Sequence, residues 1–286
     1  ADDKGNIVVV SPIKGSPAET AGIKAMDIIK AVDNKPVSGK NLDAAVALMK
    51  GQAGSAVKIT VTRKGTEKPV VFDVKRDIIK LETVGYEKLN NDIGYIRLTM
   101  FDEHTDEDFK EAVDKLKSKN MKGLIIDLRD NPGGLLDVCV NIADEILPKG
   151  TIVYTEYRNG KKDYNYSDAK SLGLPLVVLV NGGSASASEI LSGAIRDNKA
   201  GTLIGTKTFG KGLVQTTHKF NDGSGMKYTI AKYYTPNGTD IQGKGITPDI
   251  VVNLPKDLEQ KPNITRDQDN QLNKAIEVLE QKISSR

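Results

Sequence analysis

The chain has 286 residues, with 41 Lys and Arg against 38 Asp and Glu, a formal net charge of +3 and 38% hydrophobic residues. This is enough for two domains with separate cores. A near-balanced charge, with no dense Lys/Arg block and no basic-aromatic pattern, excludes the electrostatic footprint of a nucleic-acid binder. No stretch reaches the ~18 apolar residues of a bilayer span, so no membrane span is expected. The one cysteine, Cys139, cannot form an intrachain disulfide, and His104 and His218 lack acidic or cysteine companions at ligand spacing. Neither a metal nor a cofactor is therefore expected.

Residues 6–10, Asn-Ile-Val-Val-Val, open the chain as a β-rich run. In the segment 15–22, Ser16 suits a helix cap, Pro17 its first turn and Gly22 its end. A strand over 27–32 leads into the turn Asp33-Asn34-Lys35-Pro36. After Asn41, the residues Leu42, Ala45, Val46 and Met49 recur at helical spacing. Residues 57–62 and 70–74 alternate as strands and close a first unit, 1–77. The mixed, charged stretch 78–90 reads as a connection.

A second unit, 91–255, starts with a strand at 93–98 and a helix over 106–119 that gathers Phe109, Ala112, Val113 and Leu116 on one face. The apolar run 123–128 reads as a central strand, broken at Asn131-Pro132-Gly133-Gly134. Cys139 lies among Leu135, Leu136, Val138 and Val140, where a small buried residue belongs. A second buried strand at 174–180 precedes Ile190, Leu191, Ala194 and Ile195 at helical spacing. The strand-rich part 202–252 completes an α/β core. In the last segment, 256–286, Leu272, Ala275, Ile276, Leu279 and Ile283 form an amphipathic helix. Its pattern fits packing on the body as well as pairing in a homo-oligomer such as a dimer.

Three stretches carry chemistry. In Gly182-Gly183-Ser184-Ala185-Ser186-Ala187-Ser188-Glu189 the serines sit at a strand-to-helix junction, where free N–H groups and the helix dipole receive negative charge. Ser186 with Glu189 also fits a capping box, and local reasoning does not choose among Ser184, Ser186 and Ser188. In the strand-like run from Lys211, a period of two puts Lys211, Leu213 and Gln215 on one face. A buried lysine acts as a base only when neutral, so its pKa of about 10.4 must fall by roughly 2–3 pH units through desolvation. The rival reading of 205–211 as a phosphate-binding loop fails, because Gly212 and a β-like run stand where Ser or Thr and a helix are needed. In Leu128-Arg129-Asp130-Asn131-Pro132-Gly133-Gly134, a glycine amide can face a developing oxyanion, or the glycines only make a tight turn. Asp197, one helix length beyond Ser186, reads as a helix-end carboxylate or a supporting polar group. Asn165-Tyr166-Ser167, Asn237-Gly238-Thr239 and Asn263-Ile264-Thr265 fit the short glycosylation pattern no better than chance allows.

These stretches, in this order, resemble the carboxyl-terminal processing proteases, the tail-specific S41 serine peptidases that join a PDZ domain to a Ser-Lys core. The resemblance implies an α/β protease core of the crotonase/ClpP-like kind behind an N-terminal PDZ-like domain. It assigns Ser186 as nucleophile, Lys211 as base and Gln215 as the group that orients the lysine. It places the oxyanion hole at the amides of Ala187 and of Gly133 or Gly134. Gly245-Ile246-Thr247-Pro248-Asp249 matches a further signature, expected to be structural. The PDZ-like unit departs from the pattern, since its first strand and carboxylate loop would precede Ile7 and are missing or reduced to residues 1–5. Peptide capture by this unit and a regulatory or packing role stand side by side.

The resemblance also implies a protein or peptide substrate and an extracytoplasmic location, the bacterial envelope or a periplasm-like compartment ahead of the thylakoid lumen. The opening Ala1-Asp2-Asp3-Lys4-Gly5 holds no signal peptide and reads as a trimmed or mature start. The competing expectation is a non-catalytic, PDZ-bearing peptide-binding adaptor whose serine merely caps a helix.

Overall fold

The structure is a computed structural model and describes residues 1–13, 15–89, 92–168, 170–220, 224–255, 257–258 and 264–285. Asn263 of the third glycosylation match lies outside them. The chain divides into two compact units, Ala1–Glu82 and Thr83–Arg286.

The first unit comprises β1 (Ile7–Val8), α1 (Pro17–Thr20), β2 (Ile28–Val32), β3 (Lys35–Pro36), α2 (Leu42–Met49), β4 (Ala56–Thr62) and β5 (Val70–Lys75). Its antiparallel sheet runs β1-β2-β4-β5, with β3 folded back on β2. Asp33 and Asn34 adopt φ of 47° and 62°, as a tight two-residue hairpin demands. Ser16 caps α1 by accepting the Glu19 N–H, and Arg76 donates to the carbonyls of Leu48 and Met49 at the end of α2. Val32, Ala45, Val57, Ile59 and Val61 form the centre of its core.

The second unit adds β6 (Val84–Lys88), β7 (Ile93–Leu98), α3 (Thr105–Ser118), β8 (Gly123–Asp127), α4 (Leu136–Ile146), β9 (Gly150–Tyr157), β10 (Lys162–Ser167) and β11 (Leu176–Val180). It continues with α5 (Ala187–Asp197), β12 (Thr202–Gly205), β13 (Leu213–Lys219), β14 (Gly225–Tyr234), β15 (Ile250–Val251) and α6 (Asn270–Ser284). The main sheet has the order β15-β12-β11-β8-β7-β6 and is parallel except for the antiparallel edge β6. A second, antiparallel sheet runs β10-β9-β14-β13.

The main sheet is covered on both faces, which explains its nearly continuous apolar strands. Leu124, Ile126, Val178 and Val180 pack with residues of α3, α4 and α5. Their neighbours Ile125, Val177 and Leu179 point the other way, to Leu272, Ala275, Val278 and Leu279 of α6. The apolar stripe of α6 thus packs within its own unit.

One boundary differs from the sequence reading. Part of the expected connection, 84–88, is the strand β6, whose five residues each pair with a residue of β7 at the sheet edge. In the segment 256–286, a buried ion-pair network joins the start of α6 to the core. Arg129 donates to Asp127 at 2.7 Å and to Asp269, the N-cap of α6, at 3.0 Å.

Candidate active site

In a parallel sheet, ligands are taken up at the carboxyl ends of the strands. The three chemical stretches leave the carboxyl ends of three adjacent strands: 128–134 follows β8, 181–189 follows β11 and 206–212 follows β12. Sheet order therefore brings together segments that lie about 50 and 25 residues apart in sequence.

The first two loops are sewn to each other. Asp130 and Asn181 exchange hydrogen bonds, with Asp130 N–H donating to Asn181 Oδ1 and Asn181 Nδ2 to Asp130 Oδ1, both 2.9 Å. Ser184 Oγ donates to the Leu128 carbonyl at 2.7 Å, Ser188 Oγ to the Asn131 carbonyl at 2.9 Å, and the Ala185 N–H also to Asn131 O at 3.0 Å. Ser184 and Ser188 are fully buried and committed to these bonds, whereas Ser186 is half-buried. The three serines that local sequence reasoning could not rank are distinguished in this way.

Ser186 has φ 55° and ψ −115°, a conformation that costs an ordinary residue about 1–3 kcal/mol. The arrangement at the head of α5 has the outline of a capping box. Its bonds run through the backbone side: Glu189 N–H reaches the Ser186 carbonyl at 2.8 Å, and Glu189 Oε2 accepts the Ser186 N–H at 3.0 Å.

Glu189 is fully buried and is the hub that sequence reasoning took only for a capping residue. Its Oε2 accepts the Lys211 N–H at 2.8 Å as well as that of Ser186, and its Oε1 accepts the Gly210 N–H at 2.8 Å and the Thr208 hydroxyl at 2.6 Å. Two backbone nitrogens bonded to one oxygen lie within about 6 Å of each other, so serine and lysine are neighbours. The sequence held a clue, a glutamate on a helix whose other residues 187–195 are all apolar or small, but its partners arrive from a different strand end.

The lysine differs from expectation in its surroundings. Lys211 is exposed, not buried, and among the described residues it bonds through its backbone alone. It precedes β13, and the pairing of β13 with β14 shifts register between Val214 and Gln215. The extra residue at this shift, Ile230, belongs to β14, and Lys211 itself stands two residues before β13 begins. Gln215 is exposed.

At the glycine turn, Gly133 N–H donates to Asn131 Oδ1 at 2.9 Å. Phe101 N–H donates to Gly133 O, and Leu135 N–H to Phe101 O, a bridge that flanks Gly134 and leaves its own N–H facing away. Among the described residues the N–H groups of Gly134 and of Ala187, first in α5, have no acceptor. A Cβ on Gly133 would stand 2.9 Å from Ser186 Cβ, and one on Gly134 2.0 Å from the Phe101 carbonyl oxygen. The turn thus presses directly against the serine.

Asp197 closes the far end of α5, pairing with Arg196 and accepting the Asn237 N–H at 3.0 Å, and takes no part in this cluster. Cys139 is fully buried and donates to the Ala187 carbonyl at 3.2 Å, and burial pushes its thiol up to about 12.

The family description "Peptidase family S41" matches residues 92–252, and "PDZ domain" matches 8–63. The chain is 47% identical over 257 residues to a carboxy-terminal-processing protease of Bartonella bacilliformis, covering 87% of this chain and 59% of that protein. It is 43% identical over 265 residues to the carboxy-terminal processing protease CtpA of Bacillus subtilis, covering 92% and 56% respectively. It therefore spans little more than half the length of these curated relatives. Among solved structures it is similar to a photosystem II D1 C-terminal processing protease, with a TM-score of 0.58 and 36% identity over 89% of this chain and 71% of that one. With a family match over more than half of its length and relatives more than 40% identical over most of it, the chain belongs to peptidase family S41.

Proposed function

We propose that this chain is the PDZ and catalytic part of a serine endopeptidase that cleaves protein substrates near their carboxyl ends through an acyl-enzyme. The observation that carries the reading is the single carboxylate oxygen of Glu189 bonded to the backbone of both Ser186 and Lys211.

Lys211, as the free amine, takes the proton of Ser186 Oγ while that oxygen attacks the scissile carbonyl carbon. The carbonyl oxygen becomes an oxyanion between the amides of Ala187 and Gly134, with Gly133 less suited because Asn131 already holds its N–H. The protonated lysine then delivers its proton to the leaving amine as the C–N bond breaks. Water, giving a proton to the freed lysine, attacks the ester and releases the carboxylate product and Ser186. Lys211 is exposed, so an extended substrate laid over it would take its amine out of water. Gln215 orients the amine once substrate covers it.

The free edge of β13, which begins two residues after Lys211, suits an extended substrate paired through its main chain. The working compartment is extracytoplasmic, a reading that rests on the relatives alone. Among the described residues no helix is long and apolar enough to cross a membrane.

A serine-reactive acylating probe tests the assignment. Wild type should be labelled and Ser186→Ala should not, while Lys211→Ala should label at least about 100-fold more slowly with its fold intact. Equal labelling of all three proteins would return the adaptor reading.

A further inference from the structure

The Gly245-Ile246-Thr247-Pro248-Asp249 segment plays no part in the chemistry above, yet it touches the site through one side chain. Thr208 is 5% exposed. Its hydroxyl donates to Glu189 Oε1 at 2.6 Å and accepts the Ile246 N–H at 2.7 Å. Its own N–H donates to the Ile246 carbonyl at 3.1 Å.

An accepted N–H leaves a hydroxyl proton only the opposite direction, so the Thr208 rotor is fixed toward the carboxylate. Of the four groups that donate to the Glu189 carboxylate among the described residues, those of Ser186, Gly210 and Lys211 belong to the backbone of the two catalytic loops themselves. Thr208 contributes the one side-chain donor, anchored by a third segment.

That anchor is built for close approach. Gly245 has φ 65°, and a Cβ there would stand 2.3 Å from the Thr208 carbonyl oxygen. Gly210, with φ 97°, leaves only 3.0 Å between its would-be Cβ and the Gly245 nitrogen. Gly243 N–H closes the contact by donating to the Gly210 carbonyl at 2.9 Å.

We propose that Thr208 is a positioning residue: with the Ile246 amide it sets the orientation of the Glu189 carboxylate, and through it the separation of the Ser186 and Lys211 loops. This rests on the Ser186–Lys211 reading. The Thr208 hydroxyl touches neither substrate nor the reacting atoms, and its effect reaches the chemistry only through Glu189.

The test compares Thr208→Val, which keeps the volume but removes the hydroxyl, with Thr208→Ser, which keeps the hydroxyl. Acylation of Ser186 by the probe and steady-state cleavage of a peptide are measured across pH. For Thr208→Val we expect kcat and the acylation rate to fall about 10–100-fold with KM changed less than about threefold, as for a small misplacement of reacting groups. The apparent ionisation in the acylation profile should shift in this variant, while Thr208→Ser should recover both rate and profile. Ile142→Val, a core change away from the site, is the control for lost stability and should leave the profile where it is.

A wild-type rate and profile in Thr208→Val would overturn the inference, as would equal impairment of Thr208→Ser, or a loss in Thr208→Val matched by Ile142→Val. If labelling instead persists in Ser186→Ala, the Ser-Lys reading itself falls. Labelling abolished in Ser186→Ala but untouched in Thr208→Val overturns only the role of Thr208.

Discussion

The backbone of Ser186 stores strain that the surrounding bonds maintain, and glycine would adopt φ 55° and ψ −115° without that cost. Ser186→Gly is therefore expected to gain about 1 kcal/mol in denaturant unfolding while losing all acylation, the trade between stability and function that strained sites show. Gly134 is the opposite case. With Phe101 O only 2.0 Å from its would-be Cβ, Gly134→Ala must displace the 101–102 backbone. Unfolding should show a loss of more than about 2 kcal/mol, with acylation impaired. Cys139 makes a third residue-level prediction. Burial raises its thiol to about 12, so a maleimide reagent at pH 8 should leave the native protein unmodified and react fully after denaturation.

Among the elements, α6 depends on its anchor. Burial by itself would raise the Asp127 carboxyl, but the Arg129 guanidinium and the Tyr95 hydroxyl hold it below the ordinary carboxylate range. A carboxyl lowered in the folded state contributes stability that is fully present above its unfolded value of about 4. That contribution is lost as pH falls through the lower folded value. Thermal midpoints measured in acid should therefore drop below about pH 4. Asp127→Asn should show a shallower drop from a baseline about 3 kcal/mol lower, because it leaves Arg129 short of a buried partner. The same network ties β8 and the glycine turn to α6. Arg129 spans from Asp127 to Asp269 and Gln271, so the turn that supplies Gly134 is braced from the helix on the other face of the sheet.

In the molecule as a whole, each unit carries its own core and its own buried ion pair. In the smaller unit, Arg63 donates two bonds of 2.7 Å to the fully buried Asp27 and lies 5.4 Å over the Phe72 ring. The Arg63 hydrogen bonds hold the Asp27 carboxyl below its ordinary range against the effect of burial. Asp27→Asn should lower the unfolding transition of residues 1–82 by about 2 kcal/mol. Calorimetry should find the transition of the larger unit where it was, since Asp27 bonds to Lys24 and Arg63, both within residues 1–82.

Much of the candidate site was legible in the sequence. Period-two and helical patterns gave the strands at 93–98, 123–127 and 176–180 and the helices around 105–118 and 187–197, because burial on both faces leaves a strong apolar signal. The order of the Ser, Lys and glycine motifs pointed to the family. The sequence alone left three serines equivalent and Glu189 as a mere cap. Only the tertiary structure separated Ser186 from its buried neighbours and joined Glu189 to Thr208, Gly210 and Lys211. The reason is physical: periodicity records which face of an element meets the core, whereas a hydrogen bond between residues some 20 positions apart depends on which strands became neighbours.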